Sequence, residues 1–177
     1  MPSAKKYFAN KILKLIPQIN NLLNYKGEKM RGLFIYYSFS GNGDVVAKKM
    51  KELGFEVRKA ESSFKLSRKF LPQMLKGGFS ALIGQKPPLE NYNSDISNFD
   101  TVCIGSPIWN GRLASPVNTV LEKTDLSGKK VVFILYSGSG FAKKAEEKIK
   151  KLYPDAVIIH LAQPKDNPDR LLKLEEI

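Results

Sequence analysis

The residues that build disulfides and metal centres are almost missing from this chain. Cys103 is the one cysteine and His160 the one histidine in 177 residues. A lone cysteine closes no internal disulfide, and neither a cysteine cluster nor a histidine set can be assembled for a metal. The expected compartment is therefore a reducing cytoplasm. No apolar run reaches the ~18 residues of a membrane span. The N-terminus has no apolar stretch running into small residues, so no secretory signal is expected. Acidic residues are scarce as well: 17 Asp and Glu against 29 Lys and Arg, a net charge of +12. That excess favours an anionic partner, whether a phosphorylated cofactor, an acidic protein, a membrane surface or nucleic acid. A solvated lysine-rich surface explains it equally well.

What remains is ordinary globular material, 42% hydrophobic and 26% charged, enough for the core of one domain. Residues 5–23 set Phe8, Ile12, Leu15, Ile16, Ile19, Leu22 and Leu23 at helical spacing with lysines between. This predicts a basic amphipathic extension over residues 1–30, divided at Pro17. From Arg31 the pattern changes. Short apolar runs at 33–37, 55–60, 101–105, 131–136 and 156–161 read as five strands. Helical patterns follow at 45–53, after Pro116, and at 142–152, with a basic helix plausible over 66–76. Strands apolar on both faces suit a parallel sheet covered by helices on both sides. The expectation for 31–177 is an α/β domain: a three-layer doubly wound sandwich with a five-stranded parallel sheet, order 2-1-3-4-5.

Ligands of such sheets bind beyond the carboxyl ends of the strands. Three polar loops lie there. Ser38-Phe39-Ser40-Gly41-Asn42-Gly43 follows the first strand and opens a helix. Its hydroxyls, backbone N–H groups and helix dipole suit a phosphate, although the GxxxxGK[ST] lysine and the GxGxxG fingerprint are both missing. Asp44, next in line, would repel an anion. Ser106-Pro107-Ile108-Trp109-Asn110-Gly111-Arg112 carries the one tryptophan, suited to stacking on a flat ligand. Ser137-Gly138-Ser139-Gly140-Phe141 can bring backbone amides against a ligand edge. Plain turns and a core tryptophan are the competing readings.

The order and placing of these loops resemble the flavodoxin family over about residues 31–163. Ser38, Ser40 and Gly41 match the family's [ST]-x-[ST]-G-x-T phosphate loop, and Gly43 departs from its final threonine. Ile104-Gly105-Ser106-Pro107-Ile108-Trp109 is similar to the family's loop whose aromatic residue stacks on the isoalloxazine ring, and residues 137–141 to the loop bordering the ring's other side. The resemblance implies a flavodoxin-like fold, FMN as cofactor and a one- or two-electron redox role. It also implies that the Asn110–Gly111 peptide reaches the reduced flavin at N5. Family members are often acidic around the flavin, so Arg112 is expected to raise the potential. The partner would be a redox protein, acidic in character, or a small-molecule electron acceptor.

Other residues have plainer roles. Cys103 and His160 lie in strands and read as core and structural residues, and Asp95 and Asp100 as turn or cap formers. A phospho-accepting receiver domain would need acidic residues where Ser38, Phe39 and Ser40 stand. Nucleic-acid binding rests on charge alone and is not expected. A domain that has lost FMN and serves as a docking module is the rival reading. The N-terminal extension has three: packing on the domain, peripheral membrane contact through residues 5–23, or translation beginning at Met30, since Lys26-Gly27-Glu28-Lys29 could be encoded by a ribosome-binding sequence.

Overall fold

The computed structural model describes residues 31–62, 81 and 83–177. The extension at residues 1–30 and the helix expected over 66–76 lie outside them. The elements run β1 (Gly32–Tyr36), α1 (Asn42–Glu52), β2 (Glu56–Lys59), β3 (Glu61–Ser62), β4 (Leu89–Glu90), β5 (Thr101–Trp109), β6 (Arg112–Leu113), α2 (Ser115–Lys123), β7 (Lys130–Ser137), α3 (Lys143–Leu152), β8 (Val157–Ala162) and a 3₁₀ helix, Pro168–Glu176.

The main sheet has the order β2-β1-β5-β7-β8, and all four of these pairings are parallel. With the short strands set aside this is the expected 2-1-3-4-5. Period-two alternation sends successive side chains of each strand to opposite faces. Leu33, Ile35, Val102, Ile104, Phe133 and Leu135 join one core with Val117 and Val120 of α2 and Ala145 and Ile149 of α3. Phe34, Tyr36, Cys103, Val132 and Ile134 join the other with Val46, Ala47 and Met50 of α1 and Leu174 of the 3₁₀ helix. Both cores lie between layers, so the strands are buried on both faces, which is why their sequences read as unbroken apolar runs. Each fully buried Val, Met or Phe contributes about 1.5–3 kcal/mol.

The third major strand is longer than expected. The sequence predicts its end at Gly105, with residues 106–112 as a polar loop. The structure carries β5 on to Trp109, where Asn110 and Gly111, with φ of 49° and 74°, turn the chain back into β6. Trp109 faces Arg112 across this two-residue turn. Positive φ at both central positions is the type I′ hairpin, for which Asn-Gly is the favoured pair. Pro107 is tolerated because β1 pairs with β5 only as far as Gly105. The side on which proline lacks its N–H is the side β1 has left, and there the Pro107 carbonyl accepts the Ala114 N–H at 3.2 Å. The 3₁₀ helix was not foreseen; it begins at Pro168 and covers the β8 end of the sheet.

Candidate functional site at the carboxyl edge of the sheet

The loop after β1 is fixed from below by tyrosines. The Tyr136 hydroxyl donates to the Tyr37 carbonyl. Tyr36 donates to Asp44 Oδ1 at 3.1 Å and Ser38 to Asp44 Oδ2 at 2.6 Å. Lys59 Nζ lies 3.0 Å from the same carboxylate. Burial alone would push the Asp44 carboxyl upward, but the hydrogen bonds from Ser38, Lys59 and Tyr36 outweigh it and hold the group below the usual carboxylate value. Burial, with Asp44 adding to it, raises the Tyr36 phenol, and burial alone takes Tyr37 to about 12. Burial likewise raises Tyr136 well above the ordinary tyrosine value. All three therefore stay neutral at physiological pH, and Tyr36 and Tyr136 remain donors. Asp44 is thus a structural carboxylate whose charge is matched by Lys59, and the Ser38 proton is committed to it.

Gly41 caps α1 in the left-handed conformation, φ 93°, with no side-chain cap. The first-turn N–H groups of an α-helix have no partner within the helix. At Asn42, Gly43 and Asp44 they carry the positive end of the dipole. Ser40 is exposed and its hydroxyl accepts from Asn42 Nδ2 at 3.1 Å. Gly43 is buried for a different reason: a Cβ there would meet the Tyr136 hydroxyl at 2.6 Å, Ser38 Cβ at 2.9 Å and Tyr36 Cδ2 at 3.0 Å.

Trp109 stands over this loop. Its ring centroid is 6.5 Å from Phe39 and 5.7 Å from Tyr37, both edge-on. The structure thus brings the 38–43 loop and the β5–β6 hairpin together. Ser106 and Pro107, by contrast, are buried in the strand. The Ser106 hydroxyl accepts the Ala114 N–H at 3.1 Å and donates to the Pro107 carbonyl at 2.8 Å, which occupies it within the protein. Ile108 and Trp109 are partly buried and Asn110 is exposed. Arg112 Nη1 donates to the Asn110 carbonyl at 3.3 Å, bracing the hairpin.

The third loop turns on Gly140, φ 69°, packed against Ala162, with the Gly140 N–H on Ser137 Oγ at 2.9 Å. Ser139 accepts the Phe141 N–H and donates to the Phe141 carbonyl. Gly138 is exposed. Phe141, 62% exposed, lies 6.3 Å from the His160 ring rather than beside Trp109. The hairpin reaches this region through Gly111, where a Cβ would meet Lys144 Cδ at 3.6 Å.

A fourth loop, after β8, was missed by sequence reasoning. Lys165 N–H donates to Asn42 Oδ1 at 3.0 Å, and its ammonium lies 3.8 Å from where a Gly41 Cβ would sit. Lys165 makes no ion pair among the described residues. Gln163, in the left-handed region at φ 43°, adjoins Gly138. A lysine in Gln-Pro-Lys-Asp has no motif to mark it; only the pairing of β8 with β7 brings it here. The uncapped helix end, Lys165 and the exposed Ser40 fit an anion, and the adjoining Phe39–Trp109 pair offers aromatic surface. Among the described residues no three His, Cys, Asp or Glu side chains gather as metal ligands, and no helix is long and apolar enough to cross a membrane.

No curated protein matches the chain. Among solved structures, an inferred flavoprotein from Bacteroides eggerthii DSM 20697 is 22% identical with a TM-score of 0.69, covering 82% of this chain and 96% of its own. A flavoprotein from Lactobacillus acidophilus NCFM, solved in complex with FMN, is 22% identical with a TM-score of 0.61, covering 79% and 97%. At such identity these likenesses establish the fold. The flavodoxin family model matches residues 31–163, from the start of β1 to the turn after β8 and so across all of the loops just described except the Lys165 end of the fourth. This chain belongs to the flavodoxin family.

Proposed function

We propose that this protein binds FMN non-covalently and acts as an electron carrier or small oxidoreductase in the cytoplasm. FMN, when bound, supplies one- or two-electron transfer. The observation that carries the reading is the uncapped α1 N-terminus at Gly41, flanked by Lys165 and adjoining the Phe39–Trp109 pair. The phosphate is assigned to Ser40 and the backbone N–H groups of 40–43, with Lys165 in place of the hydroxyl lost at Gly43. Ser38 serves this loop indirectly by fixing Asp44. Trp109 stacks on the ring, and the hairpin turn and the 137–141 loop border it. Arg112 raises the potential. The excess of basic residues favours an acidic partner protein or an anionic small molecule.

An absorbance spectrum of the purified protein tests this. Flavin bands that co-elute with the chain support it. The Ser40→Asp variant sets a carboxylate at the phosphate loop and is expected to weaken FMN binding at least tenfold, about 1.4 kcal/mol. A second reading, a docking module without flavin, is favoured by the tie between Ser38 and Asp44. It requires a folded protein that leaves FMN fluorescence unquenched at micromolar concentrations.

A further inference from the structure

Beside the hairpin that carries Arg112, three cations share one depression without a counter-charge. It holds about 240 Å³ and is walled by Ala81, Gly84, Arg112, Asn118, Lys144 and Lys148. Arg112 donates to the Asn110 carbonyl, and Lys148 Nζ donates to Asn118 Oδ1 at 3.1 Å; both acceptors are neutral. Neither cation, nor Lys144, pairs with a carboxylate among the described residues. At the rim, by contrast, Lys86 is paired with Glu122. Burial first, then Lys86 and Arg112, lower the Lys148 ammonium below the ordinary lysine value. The sequence outside the described residues offers little relief: 63–80 contain no Asp or Glu, and 1–30 contain only Glu28. Asn118, 6% exposed, is held by Lys148 on one side and by the Gln85 carbonyl on the other, at 3.3 Å.

The depression continues into a second of about 290 Å³ that shares Gly84, Asn118 and Lys148. Leu121, Leu152 and Tyr153 line this part, and Leu152 is 54% exposed. One end is cationic, and the other is apolar apart from the Lys86–Glu122 pair, whose charges cancel. Like charges drawn together cost free energy that a bound anion returns, and exposed apolar surface gains from being covered.

We propose that this groove, between β6, α2 and α3, binds a small organic anion, its carboxylate or phosphate on Arg112, Lys144 and Lys148 and its apolar body along Leu121, Leu152 and Tyr153. The ligand lies against the hairpin turn at Gly111, whose Cβ position is 3.6 Å from Lys144. The groove shares Arg112 and the Gly111 turn with the proposed flavin site, so it is tested with FMN absent as well as present.

The test uses the full chain, with and without FMN, and three probes: 1-naphthoate, 1-naphthyl phosphate and the neutral 1-naphthylmethanol. Binding is followed by calorimetry and by amide shifts at Gly84, Asn118 and Lys148. At least one anionic probe binds, and the preferred head group is the one bound more tightly. The neutral probe binds at least tenfold more weakly. Lys144→Gln with Lys148→Gln lowers the anion affinity about tenfold or more, and Lys148→Arg restores most of it. FMN affinity is read on the same samples. Anion binding that persists where FMN does not bind removes the flavin reading and leaves this site standing. Equal binding of neutral and anionic probes, shifts elsewhere, or undiminished anion binding in the double lysine variant overturns the site.

Discussion

Asp44 is the residue at which the proposed phosphate loop departs most from a simple anion cradle, and its surroundings explain why it is tolerated. A carboxylate in the first turn favours the helix dipole, and Lys59 matches its charge at 3.0 Å. Because its folded pKa is depressed, its contribution to stability is complete above the unfolded carboxylate value and is lost as pH falls through the lower folded value. Asp44→Asn should thus cost little at pH 7, under about 1 kcal/mol for so exposed a group. The difference from wild type should begin to shrink below about pH 4 and be gone once the pH is below the depressed folded value. Urea unfolding at pH 7 and pH 3 checks this; a gap that widens in acid contradicts it. Gly43 poses the opposite question. The family resemblance suggests that threonine here would add a phosphate donor. The structure gives it no room, because Tyr136, Ser38 and Tyr36 all crowd the Cβ position. Gly43→Thr is expected to lose about 1–3 kcal/mol to overpacking, seen as a lower urea midpoint. A variant as stable as wild type with tighter FMN binding would contradict that. Neither constraint was visible in the sequence, since Asp44 is matched by Lys59 of β2 and Gly43 is crowded by Tyr136 of β7, both apart from the loop along the chain.

The hairpin of β5 and β6 shows what local patterns reveal and what they hide. Asn110-Gly111 is a strong type I′ signal, yet Ser106-Pro107 ahead of it reads as a strand end. The conflict resolves only when β1 is known to pair with β5 no further than Gly105, leaving the proline side free of β1. The five main strands and three helices of the described residues were legible because their apolar periods are regular. The two-residue β3 and β4 were not, because no period exists at that length. The same hairpin aims Arg112 back on Asn110, so its charge is held beside the turn that borders the proposed flavin. Arg112→Glu should lower the reduction potential of the second electron by removing a cation and adding an anion. A potentiometric titration that shows no shift would separate Arg112 from the cofactor.

For the molecule as a whole, the layers follow from alternation along the strands, and the site follows from the layers. Four loops at one edge of the sheet converge because β1, β5, β7 and β8 run parallel and so leave the sheet on the same side. Three of these were foreseen from glycine and serine content. The fourth, with Lys165, was not, since a single lysine in a chain with 29 basic residues carries no signal of its own. The described sheet begins at Gly32 and the family match at Arg31, so a chain started at Met30 is expected to fold and to bind FMN as the full chain does. Loss of the cooperative unfolding transition in that shorter chain would show that residues 1–29 belong to the core. The proposed binding of FMN by these loops is tested most directly by ¹H–¹⁵N spectra recorded before and after one equivalent of FMN. The predicted result is saturable shifts confined to Gly41, Asn42, Gly43, the Trp109 indole, Gly111, Gly138 and Lys165. Unchanged spectra, or shifts gathered elsewhere on the fold, would contradict it.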